Sequence, residues 1–110
     1  MIDKSEDVSR RESWQLRDSI RHGQFELIQN GVAVAWMRYR RLAPNRYFLL
    51  HTEVAHSRRE NGAGRAVVEA VLQEIRSRHG KVTAICPFVS EYLTRDDRYH
   101  DLIDVRRTEE

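Results

Sequence analysis

Two glycines, Gly62 and Gly64, stand in the stretch RRENGAGRA (58–66), at the start of a run that otherwise has the composition of a good helix. Each glycine inside a helix costs about 1 kcal/mol relative to alanine, so the pair calls for an explanation. Anion binding is one. The first N–H groups of a helix have no partner within it, and the helix dipole makes that end partly positive. A diphosphate accepts those bonds when no side chain holds it away. Gly62 and Gly64 clear the approach, while Arg59 and Arg65 add positive charge. A glycine-containing loop packed closely on a strand accounts for the same residues without a ligand.

Three other side chains have the types that do chemistry. His51 and Glu53, two apart in HTEV (51–54), share one face of a strand. Imidazole is the usual general base near neutral pH; a strand histidine hydrogen-bonded within its sheet is the plain alternative. Cys86 ends the apolar run KVTAIC, immediately before Pro87. As a thiolate it is a nucleophile, and His51 on the neighbouring strand is the group placed to ionise it. Otherwise it packs as a small apolar side chain. Tyr92, further on, is either a proton donor or a packing residue. The histidines at 22, 56, 79 and 100 have no ligand spacing with acidic or cysteine partners, and one cysteine builds neither a disulfide nor a multi-cysteine metal site. No metal is expected.

Two familiar phosphate loops fail at the glycine stretch. A P-loop requires Lys-Ser/Thr after its last glycine, where this chain has Arg65-Ala66. A dinucleotide fingerprint requires a third glycine where Val67 stands and a tight strand-to-helix turn. Here the residues from Ala55 to Asn61 intervene between strand and glycine.

The elements that must position these groups are readable from periodicity. WQLRDS (14–19) and QFELIQ (24–29) alternate as strands do. Asn30-Gly31 is the strongest short hairpin signal, because both central residues of a type I′ turn take positive φ. VAVAWMRYRR follows as a long strand, APN (43–45) turns the chain, and RYFLLHTEV (46–54) makes a fourth strand. Ala63, Ala66, Val67, Ala70, Val71 and Ile75 then recur at helical spacing, with His79-Gly80 closing the helix. KVTAIC (81–86) reads as a buried strand, and Ser90 as the cap of a short helix, EYLTR. Four strands in a meander, a helix, a strand and a helix give a mixed sheet. A right-handed crossover lays the fifth strand parallel to the fourth, and that lone parallel pair is the natural place for a cleft.

With 110 residues, 40% hydrophobic and 33% charged, the chain has the size of one domain and no apolar run of membrane-spanning length. The polar N-terminus lacks a signal-peptide core, so a cytoplasmic, reducing location is expected. Residues 1–12 read as a disordered tail and 106–110 as a frayed end, which leaves 13–105 as the domain. The net charge of +2 is too small for an obvious polyanion footprint. The stretch MRYRRLAPNR nevertheless interleaves Arg38, Arg40, Arg41 and Arg46 with Tyr39 and the following Tyr47, as a nucleic-acid-binding module would.

Arg59-x-x-Gly62-x-Gly64 at a strand–loop–helix junction resembles the acyl-CoA-binding loop of the GCN5-related N-acetyltransferases. HTEV, the glycine loop and CPFVSEYLTRDDRYHDLI (86–103), in that order, resemble the small single-domain members of that family over residues 14–104. Two departures stand out: Asp96-Asp97 precede Arg98-Tyr99 where the family has His-Pro, and Glu60-Asn61 replace the more usual Gly-Lys. The resemblance implies an α+β (α/β) fold in its minimal form. That is a mixed, mostly antiparallel sheet of about five strands with two helices, in the order β-β-β-β-α-β-α. It implies acetyl-CoA as cosubstrate, an amine acceptor of unknown identity, a protein amine suiting so open a site, and a monomer or weak homodimer. The backbone of Arg59, Glu60, Asn61, Gly62, Ala63, Gly64 and Arg65 would take the diphosphate, and Val54 N–H the thioester carbonyl. The pantetheine arm would lie between HTEV and KVTAIC, with Tyr92 against CoA. His51 and Cys86 would form the catalytic pair beside Glu53, with Cys86 accepting the acetyl group on a covalent route. A CoA-binding domain with little or no activity is the nearest alternative.

Overall fold

The computed structural model describes residues 14–105, apart from the side chains of residues 59–61. Strands β1 (Trp14–Ser19), β2 (Gln24–Gln29), β3 (Val32–Ala43) and β4 (Arg46–Val54) form an antiparallel meander. Helix α1 (Ala63–Ser77) then crosses over to β5 (Lys81–Ala84), which pairs parallel to β4 and completes the sheet order β1-β2-β3-β4-β5. Helix α2 (Pro87–Arg95) follows. The expected architecture is the observed one. The segments read as an N-terminal tail and a frayed C-terminus lie outside the described residues.

The Asn30-Gly31 turn forms as its chemistry dictates, with φ of 53° and 81°. On one face of the sheet, Phe25, Leu27, Ala35, Met37, Tyr47 and Leu49 are buried under Val67, Val68, Val71, Leu72 and Ile75 of α1, and α2 adds Val89 and Leu93. Neither α-helix packs on the opposite face, where Arg38, Arg40, His51 and Glu53 are exposed and Gln24 and Trp36 half-buried. Among the described residues, the core is one layer of helix on one sheet.

Several local expectations are corrected. Three short 3-10 turns, Ile20–His22, His56–Asn61 and Asp97–Leu102, occupy stretches read as loops. The fifth strand stops at Ala84, two residues before Cys86. The second helix is capped by Cys86 rather than Ser90, because Pro87 sits at its first position, where a missing N–H costs nothing. At the end of α1 the left-handed residue is His79 (φ 60°), not Gly80. Gly80 closes the helix through its N–H to the Ile75 carbonyl, 2.9 Å, and serves a further need. A Cβ there would lie 2.9 Å from Ile75 Cγ2, 3.0 Å from Tyr47 Cε1 and 3.2 Å from the Asn45 carbonyl oxygen.

The same end of α1 is tied to the sheet through Arg78. Its guanidinium bonds Asp18 (3.0 Å), Glu74 (2.8 Å) and Tyr47 Oη (3.1 Å), and lies over the Phe25 ring. Tyr39 donates to the same Asp18 at 2.7 Å. Burial, and then that hydrogen bond, push the Tyr39 phenol up to about 12.

Two outcomes are expected. Gly80→Ala lowers stability by about 1–3 kcal/mol through overpacking, read from urea unfolding. Above the ordinary phenol value of 10.0 the unfolded chain sheds a proton that native Tyr39 keeps until about 12. Stability therefore falls as pH rises across that interval. Tyr39→Phe is less stable at neutral pH but shows a shallower alkaline decline in the same assay.

Candidate functional site

The ladder between β4 and β5 runs from Arg46↔Lys81 to Leu49↔Ala84 and ends there. The Leu49 carbonyl accepts both the Ile85 and the Cys86 N–H, each at 2.9 Å. Pro87 then starts α2 and turns the chain out of the sheet. Beyond Leu49, β4 continues to Val54 paired with β3 alone, through Arg38↔His51, Met37↔Thr52, Trp36↔Glu53 and Ala35↔Val54. Ala55 N–H donates to the Val34 carbonyl at 2.8 Å, which makes Ala35–Val54 a non-hydrogen-bonded pair. The N–H groups of Val54 and, two residues back, Thr52 consequently face the gap left by β5.

At the mouth of this gap the chain enters α1. Gly62 takes the left-handed conformation (φ 79°), and a Cβ on it would meet nothing within 4 Å. The first intrahelical bond of α1 runs from Ala66 N–H to the Gly62 carbonyl, 2.9 Å. The amides of Ala63, Gly64 and Arg65 precede that bond and so have no partner within α1. Gly64 has a second reason to be glycine: its Cβ would lie 3.3 Å from Val54 Cγ2 and 3.4 Å from the Phe88 ring. Close seating of α1 on β4 depends on that small residue.

A cleft of about 580 Å³ opens between these elements, lined by His51, Thr52, Glu53, Val54, Gly62, Gly64, Arg65 and Phe88. Arg65 and Phe88 also wall a second cavity of about 440 Å³ with Glu91, Tyr92, Arg95 and Asp96. Together they make one groove running between the start of α1 and the side of α2. Most residues proposed from the sequence are gathered around it. Ala63 is buried and offers only its backbone. The Arg59, Glu60 and Asn61 side chains lie outside the described residues; their backbone forms the 3-10 turn leading into Gly62.

The expected meeting of His51 and Cys86 does not occur. Strand β4 carries an extra residue, since Tyr39 pairs with Leu49 and Arg38 with His51, leaving Leu50 unpaired. That bulge shifts the alternation by one. Leu49, Thr52 and Val54 point toward the helices; His51 and Glu53 point to the open face. Cys86, 3% exposed, has its Sγ 3.4 Å from Thr52 Oγ1, which itself donates to Met37 Sδ at 3.2 Å. Thr52 and Phe88 escaped the sequence reading. Two adjacent leucines in RYFLLHTEV, of which strict alternation can bury one, were the available signal.

Around the second cavity, charge is balanced internally. Asp96 caps the last 3-10 turn by accepting from Arg98 N–H at 3.0 Å, and the Arg98 side chain spans Asp96 and Glu69 of α1. Those bonds hold the Asp96 carboxyl well below the usual carboxylate range. Burial first, then the negative charges of Glu69 and Asp96, push the Tyr92 phenol up. Tyr92 therefore stays protonated, a hydroxyl on the groove wall. The Asp96-Asp97 departure is accommodated as a helix cap.

A sheet whose one parallel pair parts beside a glycine-entered helix is what the sequence resemblance required. The family profile described as GCN5-related N-acetyl-transferase matches residues 24–102. The chain belongs to that family. A GCN5-like protein of Staphylococcus aureus, solved by NMR, superposes with a TM-score of 0.63 at 24% identity, over 84% of this chain and 89% of that one. The likeness establishes a shared fold. Two larger structures are more distant. Ard1 from Thermoplasma volcanium has a TM-score of 0.48 at 16% identity, over 71% of this chain and 49% of that one. For the ribosomal-protein-S18-alanine N-acetyltransferase from Escherichia coli the figures are 0.49, 21%, 74% and 47%, so this GCN5-related chain spans about half the length of either. Comparison with curated proteins gave no match.

The nucleic-acid reading loses its stacking surface. Tyr47 is 1% exposed in the core and Tyr39 is bonded to Asp18 behind the sheet, so MRYRRLAPNR presents arginines without aromatic faces.

Burial of Cys86 has a direct consequence. Its thiol should react with Ellman's reagent at least about tenfold more slowly in the native protein than in urea, and Thr52→Gly, which opens the floor of the cleft, should speed the native reaction.

Proposed function

We propose that this chain binds acetyl-CoA and transfers its acetyl group to an amine. The observation that carries the reading is the gap where β4 outruns β5, with the bare first turn of α1 at its mouth. A pantetheine arm fits such a gap because it can bond the free edge of β4 much as a strand would. The amides of Ala63, Gly64 and Arg65 supply the diphosphate with donors, and the Arg65 guanidinium adds charge. Val54 N–H is the donor available to the thioester carbonyl as it gains negative charge. The unit proposed to do this is the domain of residues 13–105.

The geometry favours direct transfer. The amine, delivered neutral, attacks the carbonyl carbon; the C–N bond forms as the C–S bond breaks. The nitrogen loses its remaining extra proton to a base, and the thiolate takes one up to leave as CoA. His51, on the open side of β4, is the base we assign. Cys86 lies beneath Thr52 on the other side, buried, and supports the floor of the cleft. If an acetyl thioester on Cys86 were an intermediate, intact-mass analysis after acetyl-CoA incubation would show the adduct. The expected mass is unchanged.

Calorimetric titration tests the binding claim. Acetyl-CoA should bind the wild type, and Gly62→Val should lose about tenfold or more in affinity, because the side chain projects into the space the diphosphate needs. A folded wild type that binds neither acetyl-CoA nor CoA would remove the proposal.

A further inference from the structure

The open face of the sheet carries a second depression, of about 340 Å³, lined by Gln24, Trp36, Glu53 and Val54. It shares Glu53 and Val54 with the cleft on the helix side. The two hollows thus meet at the edge of β4 where β5 has departed. Trp36 stands in a cross-strand row between Glu26 on β2 and Glu53 on β4, its directly paired residues, so the three side chains share one face.

The two carboxylates in the row differ. Glu26 is 7% exposed and already occupied: Arg17 donates to it at 2.9 and 2.6 Å, and Gln24 Nε2 at 2.7 Å. The hydrogen bond from Gln24 and the neighbouring guanidinium keep it ionised. Glu53 is exposed and has no ion-pair partner among the described residues. A free carboxylate directly across from an indole, in a hollow, is a receptor for a cation. The indole face attracts the charge, the carboxylate neutralises it, and the row holds its shape because Glu26 is locked from behind.

We infer that the acceptor is a primary alkylammonium of the lysine side-chain type, presented by a polypeptide, and that it docks in the Trp36–Glu53 hollow before reaching the cleft over Val54. This rests on the acetyl-transfer reading for its chemistry. Docking itself does not require the cofactor. A polypeptide is favoured over a small free amine because the face around the hollow is flat and unwalled, and exposed Arg38 and Arg40 lie beside it. Those guanidinium groups repel a small polycation, whereas acidic residues flanking a lysine complement them. The transfer step remains balanced as above: the ammonium gives its first proton to solvent on leaving Glu53, and the nitrogen's second passes to His51 as the C–N bond forms.

The probes are an acetylated and amidated hexapeptide with one central lysine between acidic residues, and the same peptide with norleucine. Without cofactor, the lysine peptide should shift the Trp36 indole N–H resonance, and the norleucine peptide should leave it in place. Glu53→Gln and Trp36→Leu, both at solvent-accessible positions, should each weaken that binding by about fivefold or more. In the acetylation assay the same variants should raise KM for the peptide by a similar factor, while Trp36→Leu, outside the cofactor cleft, keeps the calorimetric affinity for acetyl-CoA within about twofold. Equal shifts from both peptides, or an Arg38→Glu variant that binds the acidic lysine peptide as well as wild type, would overturn the assignment. Failure of acetyl-CoA to bind would instead remove the transferase reading, and the indole titration would still decide the docking claim.

Discussion

One carbonyl organises this molecule. Leu49 C=O takes two N–H donors, from Ile85 and Cys86, and so closes the parallel ladder four pairs after it begins. The residue that follows is proline, which has no N–H with which to resume pairing. Strand β4 goes on without a neighbour, and its edge donors and acceptors face a gap rather than a ladder. Buried, such groups would each cost about 1–3 kcal/mol unpaired. In an open cleft water satisfies them, and a ligand able to replace that water inherits the bonds. The gap is stable only because β3 holds the other edge of β4 over its full length and Gly64 lets α1 seat against Val54.

A second constraint, the Leu50 bulge, decides which side chains meet the gap from which side. It sends Thr52 and Val54 under the helices and His51 with Glu53 onto the open face. The bulge was not legible beforehand. A bulge is a competition between two registers whose outcome depends on long-range packing, here of Thr52 against Met37 and Cys86. By contrast, the Asn30-Gly31 hairpin, the alternation of β1 and β2 and the stripe of α1 follow from local rules and came out as read. The glycine loop was legible too, because positive φ at Gly62 and close approach at Gly64 are demands that few residue types meet. Cys86 also stands at the N-cap of a helix, and Gly80, besides closing α1, makes room for Ile75 and Tyr47; neither demand shows in residue type alone. Chemistry of residue types was visible; the partners were not.

The arginine-rich composition finds its explanation in the same single-layer design. With the helices of the described residues on one face, the core is thin, and long planar cations span its margins. Arg46 reaches the buried Asp104 across the start of β4, Arg76 pairs with Asp101, Arg78 joins β1 to α1, and Arg98 joins the last 3-10 turn to α1. Guanidinium suits this work because it bonds in several directions at once and stacks on rings, as Arg78 does over Phe25 and Arg76 over Tyr99. These pairs spend part of the positive charge within the molecule, while Arg38 and Arg40 stay exposed on the open face.

A missing layer becomes useful at β4. In a sheet covered on both faces, a gap between strands would be reached from its end alone. Here the helix face offers a groove with bare amides at one end, and the uncovered face offers a hollow with an indole and a carboxylate. Val54 belongs to both. A cofactor arriving under α1 and an amine arriving over Trp36 would therefore meet across a single strand thickness, on opposite sides of the Val54 amide. The amine would pass through the gap to the face of the thioester carbonyl, and the thiolate would leave along the groove under α1. The bulge that sets His51 on the open face would then put the proposed base on the side from which the amine comes.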